Sequence, residues 1–172
     1  DRYKLDQTVE EYLENISGKT AELFALSCSV GAFESGNSER FAKKAGMIGH
    51  NIGIAFQIMD DLLDYQADAA TLGKPVLEDV RQGVYSLPLI YALNQDNSQL
   101  RPYLEKQKQM TVEDTLQVQR LVQELGGVDY AQQLATEYTE QALKDIRKLP
   151  DNYFNTKEKL ERLTSQILSR KS

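Results

Sequence analysis

Apolar residues recur along this chain at intervals of three and four rather than alternately, which is the period of amphipathic helices and not of strands. The pattern predicts helices at about Thr8–Phe33, Glu39–Asp68, Ser86–Asn94, Gln99–Lys106, Val112–Gly126, Val128–Lys148 and Thr156–Ser169. Leu, Ala, Glu, Gln and Lys fill these stretches, and such side chains lose little freedom in a helix. Only four prolines and ten glycines punctuate the sequence, and the segments "ESGN" and "TLGKP" are expected to be loops. Thr111 followed by Asp114 has the spacing of a capping box at a helix start. With no internal repeat and no linker-like tract, the expected architecture is all-α in a single domain.

One helix departs from the ordinary amphipathic pattern. In "AFQIMDDLLDYQ", Ala55 to Gln66, three aspartates fall within five residues of an otherwise apolar run. At about 100° per residue, Ile52, Phe56, Met59 and Leu63 form one stripe, and Ile54, Ile58 and Leu62 extend it round the back. A helix this oily expects neighbours on most sides and should leave apolar surface uncovered if they are missing. Its remaining strip holds Gly46, Gly53, Gln57, Asp60 and Asp64, with Asp61 slightly to one side. Carboxylates four residues apart repel and cannot be buried without partners, so this strip must open onto solvent, basic residues or metal ions. A merely solvated face accounts for isolated acidic patches but poorly for a helix whose other sides are apolar. The spacing lacks the central glycine of an EF-hand, whereas hard oxygen donors on a rigid helix suit Mg²⁺, which takes one or two carboxylates and completes its shell with water and phosphate oxygens. Gly46 and Gly53 on the same side leave room for something to approach the backbone.

Composition narrows the partners. The chain has 172 residues, 41% of them hydrophobic, enough for a real core. Lys plus Arg total 20 against 26 for Asp plus Glu, a net charge of −6 that argues against sequence-independent nucleic-acid binding. A phosphate ligand would therefore need local cations, and Lys19 in "SGKT" and Lys74 in "LGKP" are the candidates. "SGKT" is not a P-loop, because Leu13 stands where that motif requires glycine and the surroundings are helical. Cys28, alone in "LFALSCSV", is expected to be a small buried hydrophobe, and His50 a polar residue at the core edge. No apolar run approaches the ~20 residues of a membrane span, and the first residues lack the order of a signal peptide. A cytoplasmic setting is the expectation, although the first residue is not Met.

The residues "KTAELF", "GIAFQIMDDLLDY" and "LGKPVLEDVRQGVYSLPLIYAL", in this order, resemble the C-terminal half of trans-isoprenyl diphosphate synthases, most closely the bacterial hexaprenyl and heptaprenyl types. The resemblance implies an isoprenoid synthase-type helical bundle. It implies a prenyltransferase that ionises an allylic diphosphate and joins it to isopentenyl diphosphate in the presence of Mg²⁺. It assigns Asp60, Asp61 and Asp64 to the second aspartate-rich motif, with Asp60 coordinating directly. Lys19 and Lys74 match the lysines that hold the allylic diphosphate. Thr20 and Gln57 match positions lining the reacting carbons, and Phe56 an aromatic beside them, although Phe56 at this spacing fits a core role equally well.

The chain also departs from that pattern. No first "DDxxD" motif is present, so residues 1–172 are expected to be the C-terminal part of one polyprenyl synthase domain, inactive by itself. A homodimer, or a heterodimer with a second synthase subunit, is the expected assembly. Val84 follows Gly83 where many relatives have Lys, and Asp79 fits a structural ion pair as well as a ligand role. Two alternatives stand beside the leading one: a terpene cyclase of the same fold, disfavoured by "DDLLD", and a non-catalytic helical partner subunit, disfavoured by retention of the charged set.

Overall fold

The computed structural model describes residues 1–34, 36, 38–66, 77–149 and 154–168, and among these every regular element is helical. The helices are α1 (Val9–Ile16), α2 (Glu22–Glu34), α3 (Glu39–Gln66), α4 (Glu78–Arg81), α5 (Leu87–Gln95), α6 (Arg101–Leu104), α7 (Val112–Glu124), α8 (Gly127–Arg147) and α9 (Phe154–Leu168). A π-helical turn, Ser17–Ala21, joins α1 to α2, and a 3₁₀ turn, Gln107–Gln109, follows α6. The expected all-α class is therefore observed. Two local expectations are revised: the first predicted helix is interrupted by the π-turn, and the one expected from Gln99 shrinks to a single turn of α-helix. The short α4 has no counterpart in the predicted set. The "TLGKP" segment lies outside the described residues, as do Ser35 and Asn37 of "ESGN".

Two compact units share the chain. One is built from Asp1–Tyr12 and Asp60–Gln132. Its core holds Leu62, Tyr65, Leu87, Leu89, Ile90, Leu100, Leu104 and Val118, all at most 2% exposed. Gly83 closes α4 with a φ of 86°, a conformation open to glycine at little cost. The Tyr3 ring lies so close that a Cβ on Gly83 would stand 2.7 Å from it. Tyr3 also donates its amide to the Gly83 carbonyl at 2.9 Å and its hydroxyl to the Arg81 carbonyl at 2.7 Å. Thr111 caps α7 as its spacing predicts. Its hydroxyl accepts from the Asp114 amide at 3.1 Å, and the Asp114 carboxylate accepts from the Thr111 amide at 2.9 Å. That amide, with Lys106 at 3.0 Å, holds the Asp114 carboxyl below its usual range.

The other unit comprises Leu13–Met59 and the chain from Gln133 onward. Here α3 buries Ile48, Ile52, Ile54, Ile58 and Met59, and α8 and α9 add Ala135, Ala142, Ile146, Leu160 and Ile167. The buried hydroxyls of Thr139 and Thr164 are satisfied by carbonyls one turn back, those of Ala135 and Leu160. α2 packs against α3 along glycines: a Cβ on Gly49 would meet the Phe24 carbonyl at 2.6 Å, and one on Gly53 would meet the Ala21 Cα at 2.8 Å. What approaches the backbone of the acidic helix is thus α2 of the same chain. Most of the uncovered apolar surface lies elsewhere than expected, although Met47 on α3 is 69% accessible. The isoleucines of α3 are enclosed, whereas Leu23, Leu26, Val30 and Phe33 form an exposed stripe on α2, with Leu23 67% and Phe33 60% accessible.

Candidate functional site

The last two turns of α3 carry the aspartates. Asp60 and Asp64 are exposed while Ile58, Met59, Leu62 and Tyr65 around them are buried, so the acidic strip opens outward as a carboxylate pair at this spacing requires. Asp61 is half-buried, and its carboxylate accepts a hydrogen bond from the hydroxyl of Tyr12 on α1. Burial, together with the Asp61 charge, pushes the Tyr12 phenol far above its usual range. Tyr12 is therefore a permanent neutral donor to Asp61. Burial likewise raises the Tyr65 phenol above its usual range. The end of the helix is tied down by α7: Gln119 donates to the Asp64 carbonyl at 3.2 Å and Gln123 to the Tyr65 carbonyl at 2.9 Å. These are carbonyls that a helix terminus leaves without intrahelical partners. Among the described residues no three acidic, His or Cys side chains close on one point as an all-protein metal cage would.

A second cluster surrounds the π-turn. Such a turn carries an extra residue per turn, is rare, and is found disproportionately at functional positions. Lys19 is exposed on it, and Thr20 is half-buried. The Thr20 hydroxyl donates to the Gln57 side-chain carbonyl at 3.1 Å, joining two predicted site residues that are far apart in sequence. Phe56 packs against Phe24 of α2 with ring centroids 5.4 Å apart. That contact gives Phe56 the helix-packing role its spacing allowed. At the start of the turn, Ser17 Oγ lies 2.7 Å from His50 Nε2, and the Glu22 carboxylate is 4.0 Å from the same nitrogen. Cys28 is half-buried beside Gly49, and burial pushes its thiol up, away from reactivity. Lys74 lies outside the described residues.

Comparison with known proteins places this arrangement. The pattern of the family described as "Polyprenyl synthetase" matches residues 1–125, spanning the π-turn, the acidic helix and α7. This chain belongs to the polyprenyl synthetase family. It is 35% identical to a prenyl transferase of Cyanophora paradoxa over 172 residues, 99% of this chain and 51% of the relative. It is 33% identical to heptaprenyl diphosphate synthase component 2 of Bacillus subtilis over 155 residues, 87% of this chain and 43% of that protein. Among solved structures, geranylgeranyl pyrophosphate synthase from Lactobacillus brevis matches with a TM-score of 0.88 and 45% identity, covering 98% of this chain and 53% of that one. The chain therefore spans about half the length of the synthases it matches. The isoprenoid synthase fold named from the motifs is the fold of these neighbours.

Within that frame, Tyr12, Ser17, Gln119 and Gln123 are the residues that motif reasoning passed over. Tyr12 sits forty-nine positions from Asp61, and a lone Tyr in "VEEYLENI" carries no local mark of that bond. The two glutamines stand four apart on α7, one turn, a spacing that can be recognised as a paired contact only once their partners are known.

Proposed function

We propose that this chain is the portion of a polyprenyl diphosphate synthase that carries the second acidic motif and the lysine–threonine turn. The reaction is condensation of isopentenyl diphosphate with an allylic diphosphate to give a longer linear diphosphate. The observation that carries this reading is the Thr20–Gln57 hydrogen bond: it unites the "KT" and "FQxxDDxxD" motifs in one polar contact.

In this reading Asp60, Asp61 and Asp64 supply the metal-binding oxygens. Hard carboxylate oxygens on a rigid helix, two of them exposed, suit Mg²⁺, because that ion takes one or two carboxylates and keeps positions for water and phosphate oxygens. Bound Mg²⁺ would supply positive charge to a departing diphosphate. Asp60 and Asp64 present the exposed oxygens. Asp61, oriented by Tyr12, adds negative charge through a carboxylate already committed to one donor. Lys19 and Lys74 hold the allylic diphosphate as point charges. Thr20 and Gln57 direct oxygen dipoles at the allylic carbons, where fixed dipoles favour developing positive charge without reorganising. Phe56 lies beside them. The protein works in the cytoplasm as a homodimer or with a second synthase subunit, as the name "component 2" indicates for the Bacillus relative.

The test is an assay with labelled isopentenyl diphosphate, an allylic primer and Mg²⁺, together with a chain that supplies a first aspartate-rich motif. Longer linear diphosphates are expected, with none formed by residues 1–172 alone. A released hydrocarbon would identify a cyclase instead, and no product under any condition a non-catalytic subunit. Asp60→Ala should lower turnover by at least about 10²-fold, the scale of losing one main electrostatic contributor, while Asp6→Ala in the exposed first loop leaves it unchanged. Equal effects of the two would remove Asp60 from the metal site.

A further inference from the structure

His50 belongs to neither motif, yet it touches the π-turn that carries Lys19 and Thr20. On α3, residues 50, 53 and 57 follow one another at three and four positions and so share a face. Each meets the π-turn Ser17–Ala21. His50 Nε2 is 2.7 Å from Ser17 Oγ at its first residue. Gly53 lets Ala21, its last residue, come so near that a Cβ would stand 2.8 Å from the Ala21 Cα. Gln57 accepts from Thr20 at 3.1 Å. Lys19 stands between these attachments with its side chain exposed.

A π-turn is intrinsically less favourable than continued α-helix and persists where its surroundings hold it. Gly53 and Gln57 hold its end, and His50 is the polar contact at its beginning. The imidazole also faces the Glu22 carboxylate at 4.0 Å, at the first residue of α2, so it sits on both sides of the turn's junction with that helix.

We propose that His50 is a positioning residue: through Ser17 it fixes the π-turn that presents Lys19 and Thr20, and thereby sets how tightly the turn holds a diphosphate. This rests on the assignment of Lys19 as a diphosphate-binding residue. The inference goes beyond a core-edge histidine satisfying its own nitrogen, because satisfaction alone would leave the geometry of Lys19 untouched. Without the His50–Ser17 hydrogen bond, the turn relaxes toward regular helix and the lysine is reoriented.

Two measurements on the 172-residue chain test this. Hydrogen exchange at the Lys19 and Thr20 amides should quicken several-fold in His50→Ala and in Ser17→Ala, since the two remove the same hydrogen bond from opposite sides. Affinity for inorganic diphosphate in Mg²⁺, by calorimetry, should fall about tenfold in each, the scale of one missing hydrogen bond plus a displaced group. The double variant should bind no more weakly than either single one. His50→Gln, whose amide reaches Ser17 where Nε2 does, should bind within about twofold of the unaltered chain. Ser17→Ala keeps the test alive if His50→Ala fails to fold. Unchanged exchange in Ser17→Ala, additive losses in the double variant, or no rescue by Gln would each overturn the proposal. If Lys19→Ala weakens diphosphate binding but His50→Ala and Ser17→Ala do not, the positioning role falls and the diphosphate reading stands. If Lys19→Ala has no effect, or the unaltered chain binds no diphosphate, the diphosphate reading falls and takes this inference with it.

Discussion

α2 and α3 pack against each other and are composed of similar apolar residues, yet they end in opposite situations. α3 is oily on most sides, and apart from Met47 near its start its large apolar side chains are mostly covered: Ile52, Ile58 and Leu62 have no accessible surface. α2, "ELFALSCSVGAFE", is apolar all round, and only the side bearing Phe24, Cys28 and Ala32 is turned to neighbours. Its other side leaves Leu26 61% and Phe33 60% accessible. The difference does not lie in composition. Small residues on α3 let α2 come close enough to cover it, and no described residue does the same for the outer face of α2. An apolar pattern states which surfaces need cover, while the supply of cover depends on what else the chain brings alongside.

The largest expected effect tests this contrast directly. Ile58→Ala should destabilise the chain by about 3–4 kcal/mol, from reduced burial plus a cavity. Leu26→Ala, a comparable truncation on the exposed stripe, should change stability by no more than about 0.5 kcal/mol. Urea unfolding of both variants measures the pair. Similar losses would mean that α2 is covered in solution and the contrast is false.

The acidic helix and the capping box were legible because their signals are local. "DDLLD" within an apolar run permits few physical explanations, and Thr111 with Asp114 completes a reciprocal pair within one turn. The π-turn was not legible, for a reason of phase. Tyr12, Ile16 and Ala21 are buried at intervals of four and then five residues, and the extra residue falls in the polar run "SGKT", where no apolar marker records the slip. Gly46 and Gly53 were recognisable as places of close approach, but nothing in a glycine says whether a ligand or a helix will use the space. The outward direction of Asp60 and Asp64 followed from the cost of burying like charges. The Tyr12 partner of Asp61 did not, because a bond across the fold leaves no spacing rule in the sequence.

A smaller effect sharpens the comparison at the contact between the two helices. At Gly49 an added methyl would stand 2.6 Å from the Phe24 carbonyl and 2.7 Å from Cys28 Sγ. The first of these is backbone and cannot turn aside. Gly49→Ala should therefore cost about 2 kcal/mol, within the range for overpacking, despite the better helix propensity of alanine. A neutral result in thermal unfolding would show that α2 can stand further from α3 than it does, and that its inner face is held no more firmly than its outer one.

The smallest effect has the opposite sign and comes from the same row of glycines. Gly46 lies one turn before Gly49, where α2 and α3 diverge around a shallow groove of about 400 Å³ lined by Ala25, Ser29, Gly46 and Met47. A methyl there would meet Ser29 Cβ at 3.4 Å and the Ala25 carbonyl at 3.5 Å, which is ordinary contact. Gly46 lies inside the helix and has no conformation that only glycine can adopt, since among the described residues the glycines with positive φ are Gly36, Gly83 and Gly126. Gly46→Ala should therefore stabilise the chain by about 0.5–1 kcal/mol, because alanine has less freedom to lose on folding. Differential scanning calorimetry of Gly46→Ala beside Gly49→Ala would give shifts of opposite sign from two identical substitutions three residues apart. A downward shift at both would mean that the helices approach as closely at Gly46 as at Gly49, and that the groove between them closes in solution.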